Sequence, residues 1–221
     1  MPVSNILSCE VRDLGLIGYQ QAYDLQTRTV QQVILNHQCT LLLCEHPPVL
    51  TLGRMSHEEN ILFSREAIKK KGIDIVDIDR GGDVTLHSPG QLVVYPIFDL
   101  NHFGRDLHSF LHKLEKVAID LLRGFDIVAN RFSGRTGVWV ANRKIVSLGI
   151  GVRKWISYHG MGINVNTDLN LFSVIKPCGL DVQMTSIAEL KGRQMDIAQV
   201  KQRVVQEFAR EFQMNFTEEQ K

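Results

Sequence analysis

Apolar residues recur along this chain at two spacings, and those spacings predict helices and strands. Over residues 17–36, Ala22, Leu25, Thr29, Val33 and Ile34 fall on one helical face. Leu107, Phe110, Leu111, Leu114, Ala118 and Leu121 mark a second helix, with Gly124 placed to end it. A third starts after Asp196, where Gln199 completes a capping-box-like pattern, and its apolar face is Ile197, Val200, Val204, Phe208 and Phe212. Ser64 is placed to cap a short helix through Lys71, and Gly72 to stop it. Short apolar runs read as strands: residues 40–44 and 49–52 flank the rigid Pro47-Pro48, and the β-branched run 73–78 reads as a buried strand. Residues 84–87 and 91–98 read as a pair of strands around Ser88-Pro89-Gly90. Residues 137–141 and 144–152 form a hairpin turning at Asn142-Arg143, and 156–165 adds a third strand.

The order of these elements predicts an α/β (α+β) fold, with helices flanking a mixed, mainly antiparallel sheet. The strict strand–helix alternation of a doubly wound fold is missing. No repeat, low-complexity tract or linker interrupts the chain, so one domain over residues 1–215 is expected, with 216–221 a flexible tail.

Composition narrows the class without supplying chemistry. The 221 residues are 44% apolar and 22% charged, enough to bury a core without disulfide or metal staples. The formal charge of +1 argues against a general nucleic-acid binder. No apolar run approaches the ~20 residues of a membrane span, so no membrane partner is expected. Cys9, Cys39, Cys44 and Cys178 include no CxxC pair, which suggests reduced thiols rather than a secreted scaffold or zinc ribbon. The stretch MPVSNILSCEVRDLG lacks a basic start followed by a long apolar run, so a signal peptide is not expected and a cytoplasmic protein is.

Four segments carry unusual combinations: HPPVLTLGR (46–54), RGGDVTLHSPGQ (80–91), RKIVSLG (143–149), and a fourth running from YHGMGINVN (158–166) to KPCGL (176–180). The second is glycine-rich but is neither GxGxxG nor a P-loop. Its paired glycines would let backbone amides approach a ligand beside the Arg80 cation; a tight turn with a solvated Arg and His explains them as well. Cys178 sits in a loop between Pro177 and Gly179, whereas the other cysteines lie in or beside apolar segments. A loop thiol is the better nucleophile candidate, the alternative being an incidental cysteine. A thiol of ordinary pKa near 8.5 is only a few per cent ionised at neutrality, so a catalytic Cys178 needs a nearby cation or base. Lys144, His87 and His159 are candidates among which spacing does not choose. His108 and His112 are four apart on a helix with Glu115 near, but no third ligand is evident and solvated side chains are the simpler reading. The Lys69–Lys71 run is more simply a favourable charge cluster at a helix C-terminus than a binding motif.

Taken together and in order, HPPVLTLGR, RGGDVTLHSPGQLVVYPI, RKIVSLGI, SYHGMGINVN and KPCGL resemble the octanoyltransferase family, also called lipoyl(octanoyl) transferase or lipoate-protein ligase B. The likeness runs from about residue 10 to 190. It implies the fold shared by biotin and lipoate protein ligases and a reaction without a cofactor. In that reaction an octanoyl group moves from acyl carrier protein to one lysine of a lipoyl domain. The acceptors it implies are 2-oxo acid dehydrogenase subunits and the glycine cleavage H protein. Carried over by position, Cys178 matches the acyl-thioester nucleophile and Lys144 the lysine that lowers its pKa. Arg80, Gly81, Gly82, Asp83, Val84, Thr85, Leu86 and His87 match a first substrate-binding stretch. Ser147, Leu148 and Gly149 match a second, and Gly160, Met161 and Gly162 a third. The glycine-rich amides would then serve a tetrahedral oxyanion, and His87 or His159 a proton shuttle.

The chain departs from the family pattern at Leu86 (usually aromatic), Ser88 (usually Gly), Gly162 (usually Ala) and Gly151 (often Arg). These changes bear on the preferred acyl length more than on the chemistry. The rival readings are an ATP-dependent lipoate or biotin ligase, a cysteine thioester hydrolase, and a non-catalytic carrier-binding scaffold. The resemblance also changes how the net charge reads. Residues 127–167 hold Arg131, Arg135, Arg143, Lys144, Arg153 and Lys154 with no Asp or Glu, so this window is +6 and the rest of the chain −5. A local basic surface suits an acidic carrier or acceptor; a solvated hairpin face is the alternative.

Overall fold

A computed structural model describes residues 7–176 and 182–218. Eight strands form the main sheet: β1 (Ser8–Leu16), β2 (Cys39–Glu45), β6 (Gln91–Ile97), β7 (Asn130–Phe132), β8 (Arg135–Val140), β9 (Arg143–Arg153), β10 (Ile156–Asn164) and β11 (Asn215–Glu218). Their order is β11-β1-β2-β6-β10-β9-β8-β7. The first three run parallel, and every pairing from β2–β6 onward is antiparallel. A second, three-stranded sheet joins β4 (Asp74–Asp77), β3 (Val49–Leu52) and β5 (Val84–His87) in that order.

Helices cover both faces of the main sheet, which explains why its central strands read as unbroken apolar runs rather than alternating ones. On β2, Leu41 and Leu43 point into a core shared with α3 (Leu107–Arg123) and α5 (Ile197–Phe212). Leu42 and Cys44 point the other way, against Ala22, Val30 and Val33 of α1 (Tyr19–Asn36). The same split runs along β6, with Leu92 and Val94 on one side and Val93 and Tyr95 on the other. A separate cluster of Leu50, Leu52, Ile68, Val84, Leu86 and Phe172 fills the small sheet and its cover, α2 (Arg65–Lys70). Ser64 caps α2 as the sequence predicts, accepting from Ala67 N, and Asp196 caps the start of α5 by accepting from Ala198 N. A further short helix, α4 (Ile187–Lys191), is capped by Ser186.

Three expectations are corrected. β5 and β6 are not a hairpin, because β5 pairs with β3 and β6 lies between β2 and β10. The turn between them is tied elsewhere: Gly90, at φ 83°, donates its N–H to the Glu45 carboxylate at 2.7 Å and accepts from Asn166 N at 2.8 Å. β2 and β3 flank Pro47-Pro48 but belong to different sheets. β4 is a partly exposed edge strand rather than a buried one, since it has β3 alone as partner. Residues 216–218 are not a frayed tail: Phe216, Thr217 and Glu218 pair with Cys9, Glu10 and Val11, and Phe216 packs on the main core. β11 covers the edge of β1, a strand whose charged, half-exposed sequence hides its period. No helix among the described residues is long and apolar enough to cross a membrane.

Candidate functional site

The loop at residues 80–83 is wedged between the end of β3 and the middle of β9. Arg80 is 7% exposed, and its guanidinium donates to Thr51 O at 2.9 Å, Thr51 Oγ1 at 3.0 Å and Gly81 O at 3.1 Å. Close approach explains two glycines around it. A Cβ on Gly53 would collide with the Gly82 carbonyl oxygen, and one on Gly149 would lie 2.8 Å from Gly81 O. The loop's own groups are largely committed. Gly81 N–H donates to Ile150 O at 2.9 Å, so this amide is not available to an oxyanion. Asp83 accepts from His57 N at 3.2 Å and from Asn60 Nδ2 at 2.5 Å. Val84 and Leu86 are core residues of the small sheet, while Thr85 is half-buried opposite Thr51.

The second and third predicted stretches meet directly. In the β9–β10 ladder, Ser147 lies opposite Gly162, Leu148 opposite Met161 and Gly149 opposite Gly160. Since Gly149 also carries the Arg80 loop, all three stretches converge on the middle of the main sheet. Gly160 and Gly162 keep that region thin: a Cβ on Gly160 would strike Val94 O, and one on Gly162 would come within 2.7 Å of Gln91 Oε1.

His87 stands at the end of β5 among buried rings. Its imidazole stacks on Tyr19 with centroids 6.1 Å apart and meets His46 edge-on at 5.7 Å. Gln91 Nε2 is occupied as a donor to Asn164 Oδ1 at 2.9 Å, so Gln91 Oε1 accepts from His87 Nδ1–H at 2.6 Å. Burial, helped by the neighbouring His46, holds the His87 imidazole down to about 3. His46 in turn bonds Ile17 O through Nδ1 at 2.7 Å, which leaves Nε2 to accept from Tyr95 OH at 2.8 Å.

From His87 a hydrogen-bonded chain leads to Lys144. It passes through Gln91 to Asn164, whose Nδ2 donates to Thr185 O at 3.0 Å, and Thr185 N donates to Lys144 O at 2.9 Å. Lys144 N donates to Gln183 O at 2.9 Å, so segment 183–185 is zipped along the start of β9. The Lys144 side chain is 2% exposed, with Nζ 5.4 Å from the Trp139 ring centroid. Gly137 makes room for it: at φ 126°, a Cβ there would lie 2.6 Å from Lys144 Cε. Cys178 lies outside the described residues, two positions after Lys176 and five before Gln183.

Asp79 was not among the sequence candidates, yet it organises the opposite side. One carboxylate accepts from Tyr158 OH at 2.7 Å, His159 Nε2 at 2.9 Å and Tyr23 OH at 3.1 Å. Burial pushes Asp79 up, but the hydrogen bonds from His159 and Tyr158 outweigh it and leave the carboxyl below its ordinary value. Burial holds His159 down to about 4 despite Asp79, so at neutral pH it is a neutral donor and not half of an ion pair. Its backbone is forced to φ 56°, and its N–H is held by Gln26 Oε1 at 2.8 Å. Burial thus favours the neutral form of both imidazoles, each with its one N–H committed, His87 to Gln91 and His159 to Asp79. The one available signal for Asp79 was its place beside Arg80; its three donors come from α1 and β10, which only folding brings together.

Residues 18–209 match the lipoyl protein ligase A/B catalytic domain, a span of most of the chain. The chain belongs to that family. An octanoyltransferase of Syntrophotalea carbinolica is 44% identical over 201 residues, covering 90% of this chain and 92% of its own. An octanoyltransferase of Porphyromonas gingivalis is 42% identical over 214 residues, and there the matched part covers 91% of this chain but 44% of that longer relative. In three dimensions the fold is that of the lipoate and biotin ligases. A bipartite lipoate protein ligase from Thermoplasma acidophilum superposes with a TM-score of 0.74 at 16% identity, covering 97% of this chain and 87% of that one. Biotin protein ligase from Aquifex aeolicus, in complex with biotin and ATP, superposes at 0.58 and 14%, covering 92% and 70%. Within this family the thin, glycine-lined middle of the sheet, flanked by Arg80, His87 and the buried Lys144, is the candidate site.

Proposed function

We propose that this protein is a cytoplasmic octanoyltransferase. It takes octanoate from octanoyl-acyl carrier protein, holds it as a thioester on Cys178, and passes it to a specific lysine of lipoyl domains. The acceptors are those of the 2-oxo acid dehydrogenases and the glycine cleavage H protein. The observation that carries this reading is the buried Lys144, whose backbone is hydrogen-bonded on both sides to a segment that reaches Cys178 within five residues. Five residues of extended chain span at most about 18 Å. A buried ammonium beside the Trp139 ring is stabilised by an anion, and a thiolate supplies one.

In the first step the Cys178 thiolate attacks the carrier thioester, the bond from acyl carbon to carrier sulfur breaks, and the carrier leaves as a thiol after taking a proton. In the second, the neutral amine of the target lysine attacks the enzyme thioester, an amide forms, and the Cys178 thiol is regenerated. The donor is already activated, so the scheme consumes no ATP. Gln91 and Asn164 act as positioning residues, because they tie the His87 strand to the 183–185 segment.

The test is intact mass after mixing with octanoyl-acyl carrier protein. A hydroxylamine-labile adduct forms on the wild type and is absent from Cys178→Ala, which no longer transfers. Transfer at the normal rate by Cys178→Ala ends the covalent scheme. Transfer from free octanoate with ATP, and not from the carrier, assigns the chain to the ligases instead. Replacing Lys144 by Met raises the pKa at which Cys178 is alkylated; an unshifted profile removes Lys144 from its role.

A further inference from the structure

Away from the candidate site, at the C-terminal end of α1, two imidazoles converge on one buried carboxylate. Asp99 is 1% exposed and caps the 3-10 turn Leu100–Phe103. Its Oδ1 accepts from Asn101 N at 3.0 Å and Asn101 Nδ2 at 2.6 Å. Its Oδ2 faces His37 Nδ1 at 2.7 Å and His102 Nε2 at 3.8 Å. His37 is the left-handed C-cap of α1, fixed by its N–H to Val33 O at 2.9 Å. The Asp99 backbone is pinned to the main sheet by a bridge to Ile156 and by Leu100 N donating to Trp155 O at 2.8 Å. All three donor atoms lie within 4.8 Å of one another.

We propose that His37, Asp99 and His102 bind one divalent transition-metal ion of the zinc type. Two imidazole nitrogens and a carboxylate oxygen are the borderline donor set such ions take. Tetrahedral bonds of about 2.0–2.1 Å put ligand atoms roughly 3.3 Å apart, so the His37–Asp99 pair must open and the His102–Asp99 pair close by about half an ångström, and the two imidazole nitrogens, within 4.8 Å of each other, must settle at the same spacing. The side chains that would move are 64% exposed at His37 and 37% at His102, while the carboxylate that stays is held from behind by Asn101. The neighbouring charged group, Arg105, is bonded through Nε to Asn101 Oδ1 at 2.6 Å, with its guanidinium over the Trp155 ring. The Cys39 thiol lies against the Asp99 backbone and is buried. The His108–His112 pair on α3 has no comparable third ligand among the described residues, because Glu115 is spent on Gly137 N at 3.1 Å and Arg131 at 3.2 Å. A metal here would join the end of α1 to a turn 62 residues further along the chain, and so would act as a clip on the fold.

The test uses the tag-free full chain, stripped with a chelator. Zinc is titrated by calorimetry, and cobalt by its visible ligand-field bands. One equivalent binds, and the unfolding temperature climbs with free zinc. The double variant His37→Ala/His102→Ala, with both side chains solvent-accessible, binds at least about tenfold more weakly and loses the thermal shift. His108→Ala/His112→Ala and Cys178→Ser bind as the wild type does. Absence of stoichiometric uptake, uptake undiminished in the first double variant, or uptake lost in either control overturns the site.

Discussion

His87 and His159 are neutral because burial strips the water an imidazolium needs, and this makes the fold sensitive to mild acid. Each has a folded-state pKa below the ordinary 6.5, at about 3 and about 4. The unfolded chain therefore binds more protons between those values and 6.5, and stability falls as pH is lowered through that window. Each histidine accounts for a loss on the order of 2 kcal/mol between pH 7 and pH 5, measurable as the change in urea unfolding free energy. His87→Gln flattens that dependence; an equal slope in the variant removes His87 from the account. Glycine spacing gives a second residue-scale outcome. Gly160→Ala sets a methyl against the Val94 carbonyl in the centre of the sheet. It destabilises by about 3 kcal/mol in chemical denaturation, because a backbone oxygen has nowhere to go.

Among the elements, α3 and α5 are amphipathic helices that their apolar periodicity reaches unaided, though the Asp106 cap of α3 emerges only in the structure. Asp106 Oδ1 accepts from both His108 N and Ser109 N, so Asp106→Ala lowers stability by about 1 kcal/mol with little change in activity. A larger loss, or lost activity, shows that the start of α3 does more than cap. β5 and β6 illustrate the opposite case. Their sequences favour strands, but the partner of each is chosen by Gly90 and its ties to Glu45 and Asn166, which lie 45 and about 76 positions away. β1 and β11 have mixed polarity, and β11 is the edge strand that covers the side of β1 not paired with β2.

On the scale of the whole molecule, the near-neutral charge averages a basic window and an acidic remainder. Arg153 and Lys154 are exposed at the β9–β10 turn, at the far end of the ladder that carries the glycine stretches. Under the proposed function, Arg153→Glu/Lys154→Glu slows transfer from acyl carrier protein and flattens its dependence on salt, while alkylation of Cys178 by a small neutral reagent is unchanged. Wild-type kinetics in that variant place carrier docking elsewhere.

Local pattern by itself determined the major helices, most strands, the β8–β10 meander and the four motif segments, because periodicity, caps and turn chemistry act over a few residues. Family membership was legible for the same reason, since HPPVLTLGR, RGGDVTLHSPGQ and the later segments are contiguous words. Tertiary structure alone decided which strands pair across the Pro47-Pro48 and Ser88–Gly90 turns. It also decided that the Gly81 N–H is bonded to Ile150 O, that Asp79 gathers Tyr23, Tyr158 and His159, and that Lys144 is buried against Trp139. Each of those outcomes joins groups dozens of residues apart. A side chain's neighbours, solvation and charge state at such distances are set by the packed sheet and helices, not by the residues next to it in the chain.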